Sequence, residues 1–197
     1  MKIKVLLNPY SNRWNSKKRW PEAESALRAA GVDFDLSVSE RADHLIELAA
    51  EAVKQGFTTL IVVGGDGSIG EIVNGAARGW DEAGSFPATI GIFPLGTAND
   101  LADNIGIPRD FSAVSRMIVN GKTRQLDLCK CNERYFVNNS AAGLEPYVST
   151  KQEKITWISG VPRYLVAAVQ GIMDQPNWNV KLSGMVARMK VRFHWFQ

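Results

Sequence analysis

The sequence is poor in residues that build covalent or metal-based frameworks, with only two cysteines and two histidines in 197 residues. Cys129 and Cys131 lie two positions apart, so on a strand they share a face and are poorly placed to bridge each other. Two thiols also cannot complete a four-ligand zinc site. We therefore expect packing thiols in a reducing cytosol.

Long apolar runs and an excess of charge of one sign are absent as well. No segment is apolar for long enough to span a bilayer, and the N-terminal residues are too few for a signal peptide, so we expect a cytoplasmic protein. The formal net charge of +3 gives no global argument for nucleic acid as a partner. Residues 13–20 mix basic and aromatic side chains and indicate a solvated loop, with a phosphate or anionic-membrane contact as the sharper alternative.

Strand patterns alternate with helix patterns over the first 120 residues. Apolar and alternating segments predict strands over residues 2–7, 33–38, 58–63 and 89–93. Helices are predicted from Pro21, from Asp43 as a cap, from the 64–68 loop to about Arg78, and over residues 110–120. This alternation predicts an α/β fold, a Rossmann-like parallel sheet with helices on both faces.

The carboxyl ends of the predicted parallel strands are the expected ligand-binding edge of the sheet. Asn8 follows the first strand, the residue 64–68 loop follows the third, and the residue 95–100 loop follows the fourth. Three polar turns at one sheet edge favour a binding cleft more strongly than any single turn does.

The loop after the third strand, Gly64-Gly65-Asp66-Gly67-Ser68-Ile69-Gly70, is rich in glycine, which lets main-chain N–H groups approach a phosphate. It fits G-x-G-x-x-G, but a dinucleotide fold places that pattern after the first strand, so we reject NAD-type Rossmann binding. No G-x-x-x-x-G-K-[ST] occurs, so the loop is not a P-loop. Capping-box spacing joins Ser68 to Glu71, and a shorter analogue joins Thr97 to Asp100. The plainer alternative is that these four residues only satisfy helix N–H groups.

Three aspartates give these loops their chemical character. Asp66 and Asp100 are expected to face one cleft, and Asp127, flanked by two leucines, either joins them or lies in solvent. A carboxylate repels a phosphate unless a cation or a hydroxyl lies between, and three convergent carboxylates suit Mg²⁺ held partly through water. Phosphoryl transfer needs such positioning and charge neutralisation, together with a base. We therefore predict metal-assisted chemistry on a nucleoside triphosphate.

The pattern changes after residue 121, where alternation predicts a hairpin over residues 125–131 and 134–139. A helix is predicted near residues 163–173 and a strand over residues 178–182. Meander pairing after βα units suggests the start of a second, antiparallel domain.

The glycine-bearing loops after the third and fourth strands each lead into a helix, and we call them the two glycine junctions. Their order along the chain resembles that in the catalytic domain of the diacylglycerol kinase and sphingosine kinase family, above all its bacterial soluble lipid kinases. The residues that carry the resemblance are Gly64-Gly65-Asp66-Gly67-Ser68 with Glu71 and Asn74, and then residues 94–102. NAD kinases and 6-phosphofructokinases share the first motif, whereas Asn99-Asp100 in the second is typical of lipid kinases. The resemblance implies a transferase that uses ATP and Mg²⁺ to phosphorylate the hydroxyl of diacylglycerol or a related lipid, with NAD kinase as the alternative.

The same resemblance implies the residues of the site and the partners. Nucleotide-binding residues would be Asn8, Ser39, Gly64, Gly65, Asp66, Gly67, Ser68, Gly70, Glu71, Gly96 and Thr97. Asp66, Asp100 and Asp127 would organise the metal, and Asp66 is the catalytic candidate. The expected partners are ATP, a lipid at the inner face of the membrane and a second copy in a homodimer, with no nucleic acid.

In the family the nucleotide domain is followed by a β-sandwich that begins near residues 136–145 and by a further acid proposed as general base. We therefore expect a nucleotide-binding domain over residues 1–124 and an incomplete lipid-binding β domain over residues 125–197, in a C-terminally truncated chain. The alternating tail, residues 185–197, is then either a frame-shifted end or a basic edge strand on an anionic membrane. A truncated chain leaves open a non-catalytic remnant that still binds ATP.

Overall fold

The computed structural model describes residues 2–80, 86–141, 143–158, 161–174, 176–179, 181, 183–184 and 189–194. The chain divides into two units, the first formed by Met1–Asn138 with Arg188–Gln197 and the second by Asn139–Ala187. The first unit holds a mixed sheet with its helices, and the described residues of the second include two helices.

Seven strands form the sheet of the first unit. They are β1 (Ile3–Leu7), β2 (Asp35–Val38), β3 (Thr59–Gly64), β4 (Thr89–Pro94), β5 (Thr123–Cys131), β6 (Arg134–Phe136) and β7 (Met189–His194). Their order across the sheet is β2-β1-β3-β4-β7-β5-β6. Neighbouring strands from β2 to β7 are parallel, and β5 is antiparallel to both β7 and β6. The predicted α/β fold with a parallel sheet is therefore confirmed for the strands that lead up to the site.

Helices cover both faces of the sheet, and two more lie in the described part of the second unit. They are α1 (Asn15–Ala29), α2 (His44–Lys54), α3 (Asp66–Ala76), α4 (Asp100–Asn104), α5 (Phe111–Asn120), α6 (Leu144–Lys154) and α7 (Val161–Met173). A short 3₁₀ turn, Ala77–Gly79, extends α3. Among the described residues, no helix is both long and apolar enough to cross a bilayer.

The core of the first unit is built on β3 and β4. Every residue of β3 is buried, because helices cover both faces of the sheet and the apolar run from Leu60 to Val63 supplies side chains to each. Burying a Leu, Ile or Val side chain stabilises a fold by about 1.5–3 kcal/mol. The loops that leave these two strands therefore start from the most rigid part of the unit.

Helix α1 begins earlier than the sequence predicts. It starts at Asn15 rather than at Pro21, so the basic and aromatic segment is mostly helical and the predicted loop is wrong there. The reason is burial, since Ser16, Trp20 and Ala23 extend one buried face upstream of the proline. Lysine and arginine side chains of this first turn remain in solvent, which is the part of the prediction that holds.

Strands β5 and β7 correct the predicted second domain. The strand expected to open an antiparallel domain at residue 125 instead joins the main sheet, where β5 pairs with β7 over Thr123–Leu128. Residues 189–194 of the tail form no edge strand, because β7 lies between β4 and β5 with Val191 and Phe193 fully buried. A membrane-facing edge strand is therefore wrong for these residues, and tail residues 185–188 and 195–197 lie outside the described part.

Alternation along β5 also corrects the expectation for the cysteines. Leu128 is buried, whereas Asp127, Cys129 and Cys131 lie on the other face and are exposed. Both cysteines are free thiols, but they are not packing residues, because the strand presents them to solvent.

The second unit is a pair of helices that pack through small residues. Val148 of α6 and Ala167 of α7 are buried together, and a Cβ added to Gly171 would lie 2.9 Å from Val148 Cγ2. Helix α7 agrees with the helix predicted near residues 163–173, whereas no helix was predicted where α6 lies. Residues 176–179 form no strand, and residues 180 and 182 of the predicted strand lie outside the described residues.

Candidate functional site

The carboxyl ends of β1, β3 and β4 meet at one edge of the sheet, as predicted. The Asn8 N–H donates to Val63 O at 2.9 Å, and the Leu95 N–H donates to Gly64 O at 2.9 Å. These bonds continue the ladder beyond the strand ends and hold the three following loops side by side. The chain leaves β1 toward β2 on one side and returns to β3 on the other, so a topological switch point lies here.

Two glycines let the loops after β3 and β4 touch. A Cβ added to Gly65 would lie 2.8 Å from Gly96 Cα, and a Cβ added to Gly96 would overlap Gly65 Cα. Neither position can carry a side chain without moving the other backbone. The sequence predicted that these glycines would let the backbone approach a phosphate. In the structure, they let the two loop backbones approach each other. By contrast, a Cβ on Gly67 or Gly70 would meet open space.

Asp66 joins the two junctions through its carboxylate. Its Oδ2 accepts the Asp100 N–H at 3.0 Å, and its Oδ1 accepts the Leu101 N–H at 2.9 Å. Asp66 is the first residue of α3, yet it satisfies two free donors at the start of α4. The negative charge also complements the positive end of that helix. Asp66 therefore contacts two residues that lie 34 and 35 positions further along the chain.

The predicted capping boxes are wrong. Helix α3 has Gly65 at its N-cap, so Ser68 lies inside the first turn, where its hydroxyl accepts from Asn8 Nδ2 at 2.9 Å. Helix α4 has Asn99 at its N-cap, not Thr97, and Thr97 is exposed. Local spacing suggested caps, but contacts with neighbouring loops use these side chains instead.

Asn99, at the N-cap of α4, forms a tight turn through hydrogen bonds between its side chain and the Gly96 backbone. Its side chain is buried, its Oδ1 accepts the Gly96 N–H at 2.8 Å, and its Nδ2 donates to Gly96 O at 3.0 Å. Its backbone φ of +61° is uncommon for a residue with a side chain. The turn holds Gly96 against Gly65, so Asn99 positions the second junction.

Asn8 is the polar residue that fixes the end of β1. Its Oδ1 accepts the Tyr10 N–H at 3.0 Å, while its Nδ2 donates to Ser68 Oγ. The Ser11 hydroxyl lies 3.4 Å from the same Ser68 oxygen. The loop after β1 is therefore tied to the first turn of α3, as its assignment to the site predicts.

Glu71 lies in α3, and Ser39 follows β2, the outermost strand on this side of the sheet. Glu71 Oε2 accepts the Leu45 N–H at 3.3 Å, at the start of α2, where Asp43 occupies the N-cap but makes no side-chain cap bond. Partial burial raises the pKa of Glu71, and the bond from Leu45 opposes this. Ser39 is buried at the end of β2 and donates to Arg41 O at 3.0 Å.

Asn74 has a role that the sequence analysis did not assign. Its Nδ2 donates to Tyr135 O at 2.8 Å and its Oδ1 accepts the Tyr135 N–H at 2.9 Å. The amide thus completes a strand-like pair with the backbone of β6 and anchors the hairpin to α3. An asparagine in the middle of a helix is a weak signal for such a contact, because its helix propensity is poor.

The three aspartates are not gathered into one set of direct ligands. Among the described residues, no three carboxylate, imidazole or thiol side chains lie close enough to hold a metal ion. Asp66 and Asp100 are adjacent through the bond described above, whereas Asp127 is an exposed residue of β5. Coordination through water stays a prediction.

These features define a class of protein: an α/β fold with a parallel sheet whose paired glycine junctions meet at a topological switch point, the place where such sheets usually bind ligands. Residues 2–131 match the diacylglycerol kinase catalytic domain, so the chain belongs to that family. The resemblance carried by the two junctions is therefore confirmed.

Similar proteins agree with this assignment. A diacylglycerol kinase of Staphylococcus saprophyticus is 31% identical over 148 residues, which are 75% of this chain and 47% of that protein. A diacylglycerol kinase of Staphylococcus aureus is 32% identical over 75% of this chain and 45% of its own length. A solved diacylglycerol kinase from Bacillus anthracis shares the fold with a TM-score of 0.58 at 24% identity, over 68% of this chain and 47% of that one. The chain thus spans about half the length of the relatives it matches.

Proposed function

We propose that this chain is part of a lipid kinase that transfers the γ-phosphate of ATP to the hydroxyl of diacylglycerol or a related lipid. The observation that carries the proposal is the contact of two glycine junctions at the ligand edge, closed by the Asp66 carboxylate on the first turn of α4. Both family membership and the chemistry of this edge support a phosphotransferase with an alcohol acceptor.

The nucleotide phosphates are assigned to the first turn of α3 and the loop before α4. N–H groups of a first helical turn have no partner within the helix, and they attract anions. Gly67 and Gly70 leave open space beside α3, and Thr97 adds an exposed hydroxyl. Asn8, Ser39, Gly64, Gly65, Ser68, Glu71 and Gly96 complete the proposed nucleotide set, with Glu71 and Ser39 acting through the loops that they support.

Mg²⁺ is assigned to Asp66 and Asp100. Asp127 is left out of this set, because β5 pairs it with Lys190 of β7, before the amino end of β4, whereas Asp66 and Asp100 follow the carboxyl ends of β3 and β4. Mg²⁺ is commonly held by one or two carboxylates, several waters and substrate phosphates, and the donor set at this edge fits that pattern. When bound, the ion would neutralise charge on the transferred phosphate. Asp66 would keep the two junctions in place and, with Asp100, would supply the negative charge that holds the ion.

The lipid is assigned to the second unit, Asn139–Ala187, at the inner face of the cytoplasmic membrane. Helix α7 supports this assignment, because Leu165, Val169 and Ile172 leave apolar surface exposed on it. A homodimer is compatible with this arrangement, and no nucleic acid is required.

A kinase assay tests the proposal. The protein is incubated with γ-labelled ATP, Mg²⁺ and diacylglycerol in mixed micelles, and labelled phosphatidate is the expected product. Asp66→Asn is expected to lower the rate by about 10²–10³, the cost of removing one charge-positioning group. Asp35→Asn is the control, because it makes the same change at an exposed aspartate at the amino end of β2, the opposite edge of the sheet. Phosphatidate formation unaffected by Asp66→Asn would contradict the proposal.

A second candidate is a chain that binds ATP without turnover. The observation that favours it is coverage, since the chain spans less than half of the matched kinases. ATP binding measured by calorimetry, with no phosphatidate in the kinase assay, would support this candidate. Labelled product formed when NAD replaces diacylglycerol in the assay would instead support the NAD kinase alternative.

A further inference from the structure

The loop between β1 and α1 contains three successive residues with left-handed backbone. Asn12, Arg13 and Trp14 have φ values of +52°, +53° and +71°. Such angles are costly for residues that carry a Cβ, and they persist only where the surroundings hold them. The run lies at the carboxyl end of β1, beside the polar contacts of Asn8, so the strain falls at the ligand edge.

The strained run ends in an exposed aromatic ring. The Trp14 side chain is 52% exposed, and the only ring contact described for it is Tyr10, whose centroid lies 4.6 Å away at an interplanar angle of 73°. Burial therefore does not account for the placement of a large apolar ring in a disfavoured backbone conformation. Strained residues of this kind cluster at functional sites.

Tyr10 is held at both ends, so the aromatic pair has a fixed position. Its N–H donates to Asn8 Oδ1 at 3.0 Å, and its hydroxyl donates to Glu40 O at 2.8 Å. The first bond belongs to the loop after β1, and the second reaches the loop after β2, next to Ser39. Tyr10 therefore spans the edge between these two loops and supports Trp14 from one side.

The order of strands shows where Tyr10 and Trp14 lie relative to a nucleotide bound at the glycine junctions. The glycine junctions follow β3 and β4, on one side of β1, whereas the loops joined by Tyr10 follow β1 and β2, on the other side. Phosphates bound at the junctions leave the rest of the nucleotide to extend across the switch point toward β1 and β2. The aromatic pair lies at that end of the edge.

We propose that Trp14, supported by Tyr10, is the stacking surface for the base of the bound nucleotide. This proposal rests on the proposed function, because it needs ATP at the glycine junctions. Each base presents a π-face, and stacking on an aromatic side chain is a common way to bind one. Arg13 is exposed beside the ring, and its charge suits the anionic ligand.

The experiment measures binding of MgATP and of inorganic tripolyphosphate to the 197-residue chain by calorimetry. Trp14→Gly is the test variant, because glycine tolerates a φ of +71° and is accepted at a helix N-cap, so the loop keeps its path. Its ATP affinity is expected to fall roughly 5- to 100-fold, which is the range of one lost base–aromatic stack. Its tripolyphosphate affinity is expected to stay at the wild-type value, because that ligand has no base.

Two further variants control for general effects of removing a ring. Trp14→Phe keeps a π-face and is expected to retain most of the ATP affinity. Trp157→Ala removes a 75% exposed tryptophan of the second unit and is expected to leave the ATP affinity unchanged. Equal ATP affinity in Trp14→Gly and wild type would overturn the stacking proposal, and so would an equal loss for tripolyphosphate. If the wild type binds no MgATP at all, the proposed function fails together with the stacking proposal.

Discussion

The two units of the chain differ in what they do with apolar side chains. The first unit buries them on both faces of its sheet, and β3 has no exposed residue. The second unit buries a cluster of only three described hydrophobic residues, Val148, Ile155 and Ala167, and leaves most of the apolar side chains of α7 in solvent. The first unit therefore has the core that a rigid binding edge needs, whereas the described part of the second presents apolar surface.

The largest expected effect lies in the core of the first unit. Phe193→Ala should lower the free energy of unfolding by about 3–5 kcal/mol, because it removes a fully buried ring from an inner strand. Val169→Ala on exposed α7 is the matched truncation and should change it by less than about 0.5 kcal/mol. Urea denaturation followed by circular dichroism measures both. Similar values for the two variants would mean that the two units do not differ in packing in this way.

A smaller effect is expected where the two junctions touch. Gly96→Ala places a methyl group against Gly65 and should destabilise the first unit by about 1–3 kcal/mol, the usual cost of overpacking. Gly67→Ala lies in open space within α3 and should be neutral or stabilising by about 0.5–1 kcal/mol. Thermal unfolding of the two variants tests whether contact requires glycine at Gly96 but not at Gly67. A destabilised Gly67→Ala with an unchanged Gly96→Ala would reverse it.

The tie between α3 and β6 is expected to be weaker still. Asn74→Ala removes two hydrogen bonds to the Tyr135 backbone and leaves those groups half-buried, which should cost about 1–2 kcal/mol. Amide exchange at Tyr135 should accelerate as well, since its N–H loses the Asn74 acceptor. Asn104→Ala, at the exposed end of α4, serves as the control and should leave exchange at Tyr135 unchanged. Unchanged exchange in Asn74→Ala would show that the hairpin does not depend on this amide.

The dependence of stability on pH tests the inner position of β7. Burial lowers the pKa of His194 below its unfolded value of about 6.5, and a backbone contact with Lys122 opposes this weakly. The unfolded chain therefore binds the proton more readily, so this contribution to stability is present above pH of about 6.5 and is lost as pH falls below it.

The wild type minus His194→Phe difference in unfolding free energy isolates that contribution from other titrating groups such as Glu71. We expect the difference to shift against the wild type between pH 7 and pH 5, as measured by urea denaturation at each pH. A difference that does not change with pH would mean that His194 titrates alike in the folded and unfolded chains.

The fold of the first unit could be predicted where the signal is local. The apolar run at Leu60–Val63 predicted a buried parallel strand, and residue order along the chain predicted that Asn8 and the glycine loops would share one edge. Both predictions depend on periodicity and on the geometry of parallel sheets, which the sequence carries directly.

Contacts between distant residues could not be predicted in the same way. The Asp66 bond to the first turn of α4 and the Glu71 bond to α2 overrode local capping patterns, because the donors come from other elements. The position of β7 depends on pairing with β4, a hundred residues earlier in the chain, and its alternation alone did not distinguish an inner from an edge strand. The left-handed backbone at Trp14 has no sequence signal such as glycine.

The central claim is that the two glycine junctions form one nucleotide site. An amide NMR titration of the ¹⁵N-labelled chain with MgATP tests it most directly. We predict the largest shifts at Gly65, Gly67, Ser68, Gly96 and Thr97, with both junctions saturating at one ATP concentration. Shifts confined to one junction, or found only outside both, would contradict the claim.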